Sequence, residues 1–348
     1  MLVTRDHQRI GTISGGCLEA DVSRKGWWTT AAGPVVRVYD TVSDDDAVWE
    51  FGLGCQGVIE ILLERTATSG CEEHLAFLQR QRESRTASVV ATVVRSDAGS
   101  GFRCGDRLLV DDTGVHGGAL VGTDIEMAVH AQARRSLESG QSVDLRLPGA
   151  DVLVEVVQPP PSLLILGAGD DARPLSAMAC ALGWDVTVAD GRPSQTRPER
   201  FPGARVVHVS SHHLRAGLDV DRHTLVVMMT HNFPFDVRLL PLVMQAQPAY
   251  LGMLGPRSRT ARLFEACGLE QQPFVHAPVG LDLGGDTPAA IALSIMSEMQ
   301  AHLSGRVVRA LRERDAGIHG ALPSVGVDEP RAARETTTSV TCDIALGR

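Results

Sequence analysis

The chain has 348 residues, 43% of them hydrophobic and 22% charged, with a formal net charge of -9 and a pI near 5.7. That length exceeds the usual size of a single core and predicts two domains, and the ordinary balance of residues excludes a disordered or fibrous chain. The acidic balance, without a basic stripe, excludes nucleic acid as the main partner, and no apolar run approaches the roughly 20 residues of a membrane span. Seven cysteines without close repeated spacings do not resemble a disulfide framework, which fits a reducing compartment. Met1 to Asp6 lacks the pattern of a signal peptide, so a cytoplasmic protein is expected.

In chain order, the first feature is IGTISGGCLE, where Gly15 and Gly16 precede Cys17 and a helical pattern follows. A thiol at a helix amino terminus feels the positive end of the dipole, and its thiolate is the form that attacks sulfur and binds metal. A second thiol, Cys55 in FGLGCQG, repeats the glycine setting before a strand. The two lack the spacing of a zinc site, so the residues alone leave open a reactive pair or two small side chains buried in tight turns. Val35 to Tyr39, Val58 to Leu63 and Ser88 to Val94 read as strands, Cys71 to Arg85 and Asp124 to Ser139 as helices. LVTRDHQRIGTISGG at Leu2 and LLVDDTGVHGGALVG at Leu108 echo each other as hairpins. Cys71, Cys104, Cys180 and Cys267 fit core or helix positions.

QPPPS, Gln158 to Ser162, breaks the pattern, since three prolines join neither a helix nor a central strand. Beyond it, strands at Leu163 to Leu166, Asp185 to Ala189, Arg205 to Val209, Leu225 to Met229 and Ala249 to Met253 alternate with helical patterns, which predicts a parallel sheet wound by helices. The first strand runs into Gly167, Ala168, Gly169, Asp170, Asp171 and Ala172, a GxGxxA fingerprint that lets a pyrophosphate approach a helix amino terminus. Asp190 ends the second strand where a carboxylate meets ribose hydroxyls, and Arg192 could meet an extra phosphate, leaving NAD against NADP open. Asp170 and Asp171 place negative charge beside that phosphate position, a cost unless a cation or water layer intervenes.

Other strand ends add polar groups to the same edge. THNFPFD places Thr230, His231, Asn232 and Asp236 there, with His231 open between proton carrier, ligand and capped loop residue. LGPRSR offers Gly255, Arg257 and Arg259 to a phosphate or carboxylate, against the plainer reading of a solvated helix start. Asp282 lies in a glycine loop before a helix capped by Thr287 with Pro288 at its first position and Ile291, Ile295 and Met299 on one stripe. After Ile318 the period is lost, and a disordered tail is expected; Cys342 within it carries no inference. The predicted fold class is α/β: a smaller mixed α/β domain over residues 1–158, a Rossmann-like doubly wound parallel sheet over 162–320, and a tail over 321–348.

With these residues assembled, the chain resembles the xanthine dehydrogenase accessory family, the XdhC/CoxI-like proteins. The matching stretches are GTISGGCLE, FGLGCQG, PPPSLLILGAGDDARPL, VTVADGRP with RFPGA, VVMMTHNFPFD, YLGMLGPRSRTARL, APVGLDLGGDTPAAIALSIMSEMQA and AGIHG, which together span nearly the whole chain. The resemblance implies a chaperone that binds molybdenum cofactor (molybdopterin) in the first domain, protects it while a terminal oxo ligand is exchanged for sulfido, and delivers it to a molybdenum hydroxylase apoenzyme. It implies a cysteine desulfurase as sulfur source, and a homodimer is expected. Carried over by position, the motif cysteines are Cys17, also the metal-contacting thiol, and Cys55; soft thiolates suit molybdenum or a persulfide. The family usually has glycine at the position of Gln56 and histidine at that of Asp170, and an arginine-proline-glycine segment before the position of Met1. Two alternatives remain beside the chaperone: an NAD(P)-dependent oxidoreductase, motivated by the fingerprint and the polar strand ends, and a nucleotide-sensing interaction protein without turnover.

Overall fold

The computed structural model describes residues 1–13, 17–40, 58–209, 219–315 and 323–326. The chain separates into two units, Met1–Pro159 with His319–Arg348, and Pro160–Ile318, a division that falls inside QPPPS.

Unit 1 opens with a small hairpin, β1 (Leu2–Val3) and β2 (Arg9–Ile10), followed by α1 (Cys17–Thr29) and an antiparallel pair, β3 (Val35–Asp40) and β4 (Val58–Leu63). After α2 (Ser69–Ser84) come β5 (Ser88–Ser96), β6 (Arg107–Asp111), β7 (Gly114–Gly117), α3 (Glu126–Ser139), β8 (Val143–Leu147) and β9 (Ala150–Val157). The last five strands make an antiparallel run in the order β8-β9-β5-β6-β7. Period-two alternation sorts their side chains. Val89, Ala91 and Val93 of β5 and Leu108 and Val110 of β6 face Val129 and Ala133 of α3, while Val90 and Leu109 face Phe77 of α2. Each fully buried valine or leucine among them contributes about 1.5–3 kcal/mol to holding the layers together. The two echoing segments of the sequence are both hairpins, but β1 and β2 close across Val3 and Arg9, whereas β6 and β7 close tightly across Asp111 and Gly114.

The β6–β7 turn rests on Asp111. Its carboxylate accepts Thr113 N–H at 2.8 Å, Thr113 Oγ1–H at 2.6 Å and Gln81 Nε2–H at 3.0 Å, and lies 2.6 Å from His116 Nε2. Burial opposes ionisation of Asp111, but the bonds from Thr113, His116 and Gln81 outweigh it and hold the carboxyl down to about 2. A folded-state value below the unfolded one contributes stability above about pH 4 that is lost as pH falls towards 2. Asp111→Asn is therefore expected to cost about 2 kcal/mol at neutral pH and to flatten the acid limb of the stability curve. Urea titrations of both proteins between pH 2 and pH 7 check this; parallel curves would remove Asp111 as the source.

Unit 2 holds β10 (Ser162–Leu166), α4 (Ala172–Ala181), β11 (Asp185–Asp190), β12 (Arg205–His208), β13 (Thr224–Met228), α5 (Phe233–Ala246), β14 (Tyr250–Met253), α6 (Arg257–Cys267), β15 (Val275–His276) and α7 (Pro288–Ser304). All six strands are parallel, in the order β12-β11-β10-β13-β14-β15. This is a Rossmann arrangement in which the winding reverses between β10 and β13, and that reversal opens a crevice at the carboxyl ends of the strands. The strands are apolar on both faces because helices cover both: Leu163, Ile165, Leu225 and Val227 pack with α4 and α7, and Leu164, Leu166, Val226 and Met228 with α5 and α6. The sequence pattern locates the first five strands but not β15, whose two residues are too few for a period.

The segment expected as a tail from residue 321 contributes a strand. β16 (Ser324–Gly326) pairs in parallel with β8 through Ser324–Asp144, Val325–Leu145 and Gly326–Arg146. The backbone groups at the edge of β8 find partners in this way, which composition alone does not reveal. Apart from Pro323, the rest of that segment, Cys342 included, lies outside the described residues. No helix of the described residues is long and apolar enough to cross a membrane.

Candidate functional site

In unit 1, α1 begins at Cys17, so the backbone places this residue at the helix amino terminus. Its side chain, together with Gly15, Gly16, Cys55 and Gln56, lies outside the described residues. The following turn is anchored by Glu19, 3% exposed, whose Oε1 accepts Ile13 N–H at 2.7 Å. Asp21, equally buried, accepts Tyr39 Oη–H at 2.9 Å and pairs with Lys25 at 2.7 Å. Burial raises the cost of its charge, but Lys25 and Tyr39 more than offset this and lower the pKa. These two carboxylates tie the start of α1 to its surroundings. Burial pushes the thiols of Cys71, Cys104, Cys180 and Cys267 upward, so these four are poor thiolates, as expected of packing residues.

In unit 2 the crevice gathers the loops after β10, β11 and β13. Gly167 has φ +122°, and a Cβ there would stand 2.4 Å from Met229 O, so the first glycine of the fingerprint serves the close approach of the β10 and β13 loops. Gly169 precedes α4, and a Cβ on it would stand 2.5 Å from Asp171 Oδ1. Asp171 caps α4, accepting Ala172 N–H at 3.1 Å, and its Oδ2 meets His231 Nε2 at 2.6 Å. His231 is 64% exposed in its side chain and adopts φ +56°, an unusual backbone for a non-glycine residue. Asp170 projects into solvent with Arg200 Nη2 2.9 Å away and Arg173 Nη1 at 3.8 Å. The charges that the sequence places beside the phosphate position thus have cationic or ionisable partners within the chain.

Asp190 is 3% exposed, and its two oxygens accept Ala168 N–H at 2.7 Å, Arg192 N–H at 2.8 Å, Arg192 Nε–H at 3.0 Å and Arg192 Nη2–H at 2.7 Å. Burial works against its charge, but the Arg192 bonds and the Ala168 N–H prevail and keep the carboxyl low. Asp236, 1% exposed, accepts Arg259 Nη2–H at 2.6 Å and the hydroxyl of Thr230. Arg257 is exposed at the first turn of α6, and Asp282 is exposed in the loop after β15. The structure therefore brings Gly167, Gly169, Asp171, Asp190, Arg192 and His231 to one crevice. Asp236 and Arg259 satisfy each other, and Arg257 and Asp282 stand on later loops of the same sheet edge.

Two residues of unit 2 escape sequence reasoning. Arg200 reaches Asp170 from the loop after β11 with no motif spacing to signal it. Glu298, in a helix read as core, accepts Tyr250 Oη–H at 2.6 Å and Gly280 N–H at 2.7 Å, and lies 3.1 Å from His276 Nδ1, which anchors the loop carrying Asp282. Burial opposes its charge, while Tyr250, Gly280 and His276 together hold the carboxyl below its usual range. No group of three or more metal-ligating side chains converges among the described residues.

Family models match the chain over residues 163–299, as the XdhC Rossmann domain, and over 1–40 and 81–148, as the XdhC and CoxI family. The chain belongs to the XdhC and CoxI family. It is similar to a probable xanthine dehydrogenase subunit of Bacillus subtilis (strain 168), 27% identical over 308 residues and 86% of each chain. It is also similar to the molybdenum cofactor insertion chaperone PaoD of Escherichia coli (strain K12), 26% identical over 322 residues, covering 91% of this chain and 79% of that one. Among solved structures, a xanthine dehydrogenase from Bacillus halodurans superposes with a TM-score of 0.70 at 26% identity, over 88% of this chain and 86% of the other.

Proposed function

We propose that the chain is a molybdenum cofactor chaperone that supports sulfuration of the cofactor and its insertion into a xanthine dehydrogenase-type hydroxylase. The observation that carries this reading is the similarity to an insertion chaperone along 91% of the chain, within a family whose models match both units. The cofactor is cargo, held in transit rather than used in turnover. In this reading Cys17 contacts the metal. The start of α1 at Cys17 supports that role, because the helix dipole stabilises a thiolate there. Cys55 serves as a second thiol, a cysteine desulfurase supplies sulfur, the protein works as a homodimer, and the setting is the cytoplasm.

The oxidoreductase alternative draws on the Rossmann sheet, and a nicotinamide dinucleotide would lie along the crevice. The residues present do not fit it. The carboxylate that would take the ribose is filled by Arg192 and Ala168, and another carboxylate caps the helix that would take the pyrophosphate.

The chaperone reading is tested by equilibrating the full chain with molybdopterin, and by adding the loaded protein to an apo-hydroxylase. Wild type is expected to bind and to raise hydroxylase activity, and Cys17→Ala to bind at least about tenfold more weakly, a loss of about 1.4 kcal/mol. Undiminished binding by Cys17→Ala would count against the thiol, and absence of binding by wild type against the whole reading.

A further inference from the structure

Unit 2 has the sheet order and glycine loop of a dinucleotide-binding domain, yet the groups that would meet a dinucleotide engage one another. A pyrophosphate in such a domain lies on the amino terminus of the first helix, where free N–H groups and the dipole attract an anion, and where a bare glycine lets it come close. In this chain an anion is already there. Asp171 Oδ1 accepts the Ala172 N–H at the start of α4, and the same atom stands 2.5 Å from the Cβ position of Gly169, covering the glycine a phosphate would have to approach. The second oxygen is held across the switch point by His231 Nε2 at 2.6 Å, from a residue whose backbone is in the left-handed region at φ +56°. A separate observation concerns the ribose. Each oxygen of the buried Asp190 accepts two hydrogen bonds from Ala168 and Arg192, so a ribose hydroxyl gains a partner only by displacing Arg192.

We infer that Asp171 is a specificity-determining residue whose carboxylate, held by His231, takes the pyrophosphate position of unit 2 and excludes NAD(H) and NADP(H). Discrimination of this kind works through repulsion: a phosphate brought within a few ångströms of a fixed carboxylate in a partly desolvated crevice meets a like charge. The ligand class compatible with the crevice presents N–H donors or a cation to Asp171 instead of a phosphate. This inference goes beyond the chaperone reading and is independent of it, because the cargo thiols belong to unit 1.

The test titrates the full chain with NADH and NADPH, followed by nicotinamide fluorescence, and with adenosine as a phosphate-free probe. The proteins are wild type, Asp171→Asn, Asp171→Ser and His231→Ala, each first checked for a wild-type circular dichroism spectrum and melting profile. Asn and Ser both keep an oxygen to cap α4 while removing the charge. Wild type and His231→Ala, which retain the carboxylate, are expected to show no saturation at micromolar NADH. Asp171→Asn or Asp171→Ser is expected to bind NADH at least about tenfold more tightly than wild type, with adenosine affinity unchanged. Saturable low-micromolar binding of NADH by wild type overturns the inference, as does equal affinity of wild type and the charge-removing variants. Should one variant fail to fold, the other decides.

Discussion

Gly167→Ala is expected to destabilise unit 2 by roughly 4 kcal/mol, combining a backbone forced into a glycine-only region with a hard overlap. The residue has φ +122°, and an added Cβ would stand 2.4 Å from Met229 O, 2.6 Å from Met229 C and 2.9 Å from Thr230 Cα. All three obstacles are backbone at the end of a buried central strand, so no side-chain rotation relieves them. Against a total stability of about 5–15 kcal/mol such a loss removes a large part of the margin. Denaturant unfolding should show it directly, with Gly140→Ala as comparison: that glycine has φ +68° but nothing within 4 Å of its Cβ position, and its replacement should cost only about 1 kcal/mol. Equal midpoints for the two variants would refute the close-approach account of the fingerprint's first glycine.

Asp236→Ala should cost about 2–3 kcal/mol, because it strips a buried carboxylate from the half-buried Arg259 and from the hydroxyl of Thr230. Asp236 is 1% exposed and takes bonds from Arg259 and Thr230, while Arg259 also lies 5.9 Å from the centre of the Phe233 ring. The sequence suggests that this pair contacts a ligand, since both stand just beyond strand ends. The geometry makes it a tie between the start of α5 and the start of α6. A double-mutant cycle with Arg259→Met measures the coupling; below about 0.5 kcal/mol the two residues are independent, and the tie does not exist.

The parallel sheet is legible in the sequence because strands buried on both faces must be continuous apolar runs, and helices must separate them. Glycines and Asp190 are legible because the turn places them at fixed spacing from the first strand. What escapes is whatever depends on partners far apart in the chain. Asp171 and His231 are brought to 2.6 Å only by the strand order, which puts β13 beside β10 although β11 and β12 intervene in sequence. Arg200 on Asp170 is hidden because 30 positions separate the two along the chain. Glu298 is hidden differently: its neighbours on α7 form an apolar stripe that reads as core, and nothing local announces that Gly280 and Tyr250 will point donors at it. Buried carboxylates in unit 1, Glu19 and Asp21, are unreadable because charged residues near the start of a helix ordinarily face water.

The pairing of β16 with β8 bears on how the protein is made. Unit 1 is encoded in two pieces, and the strand that completes its edge leaves the ribosome only after the intervening unit. Translation of the whole Rossmann domain comes first, so that domain is free to fold as a unit while its predecessor still waits for its final edge. During that interval the backbone donors and acceptors along one side of β8 are open to strangers, which makes the nascent chain most vulnerable to misassembly after its larger share has been synthesised.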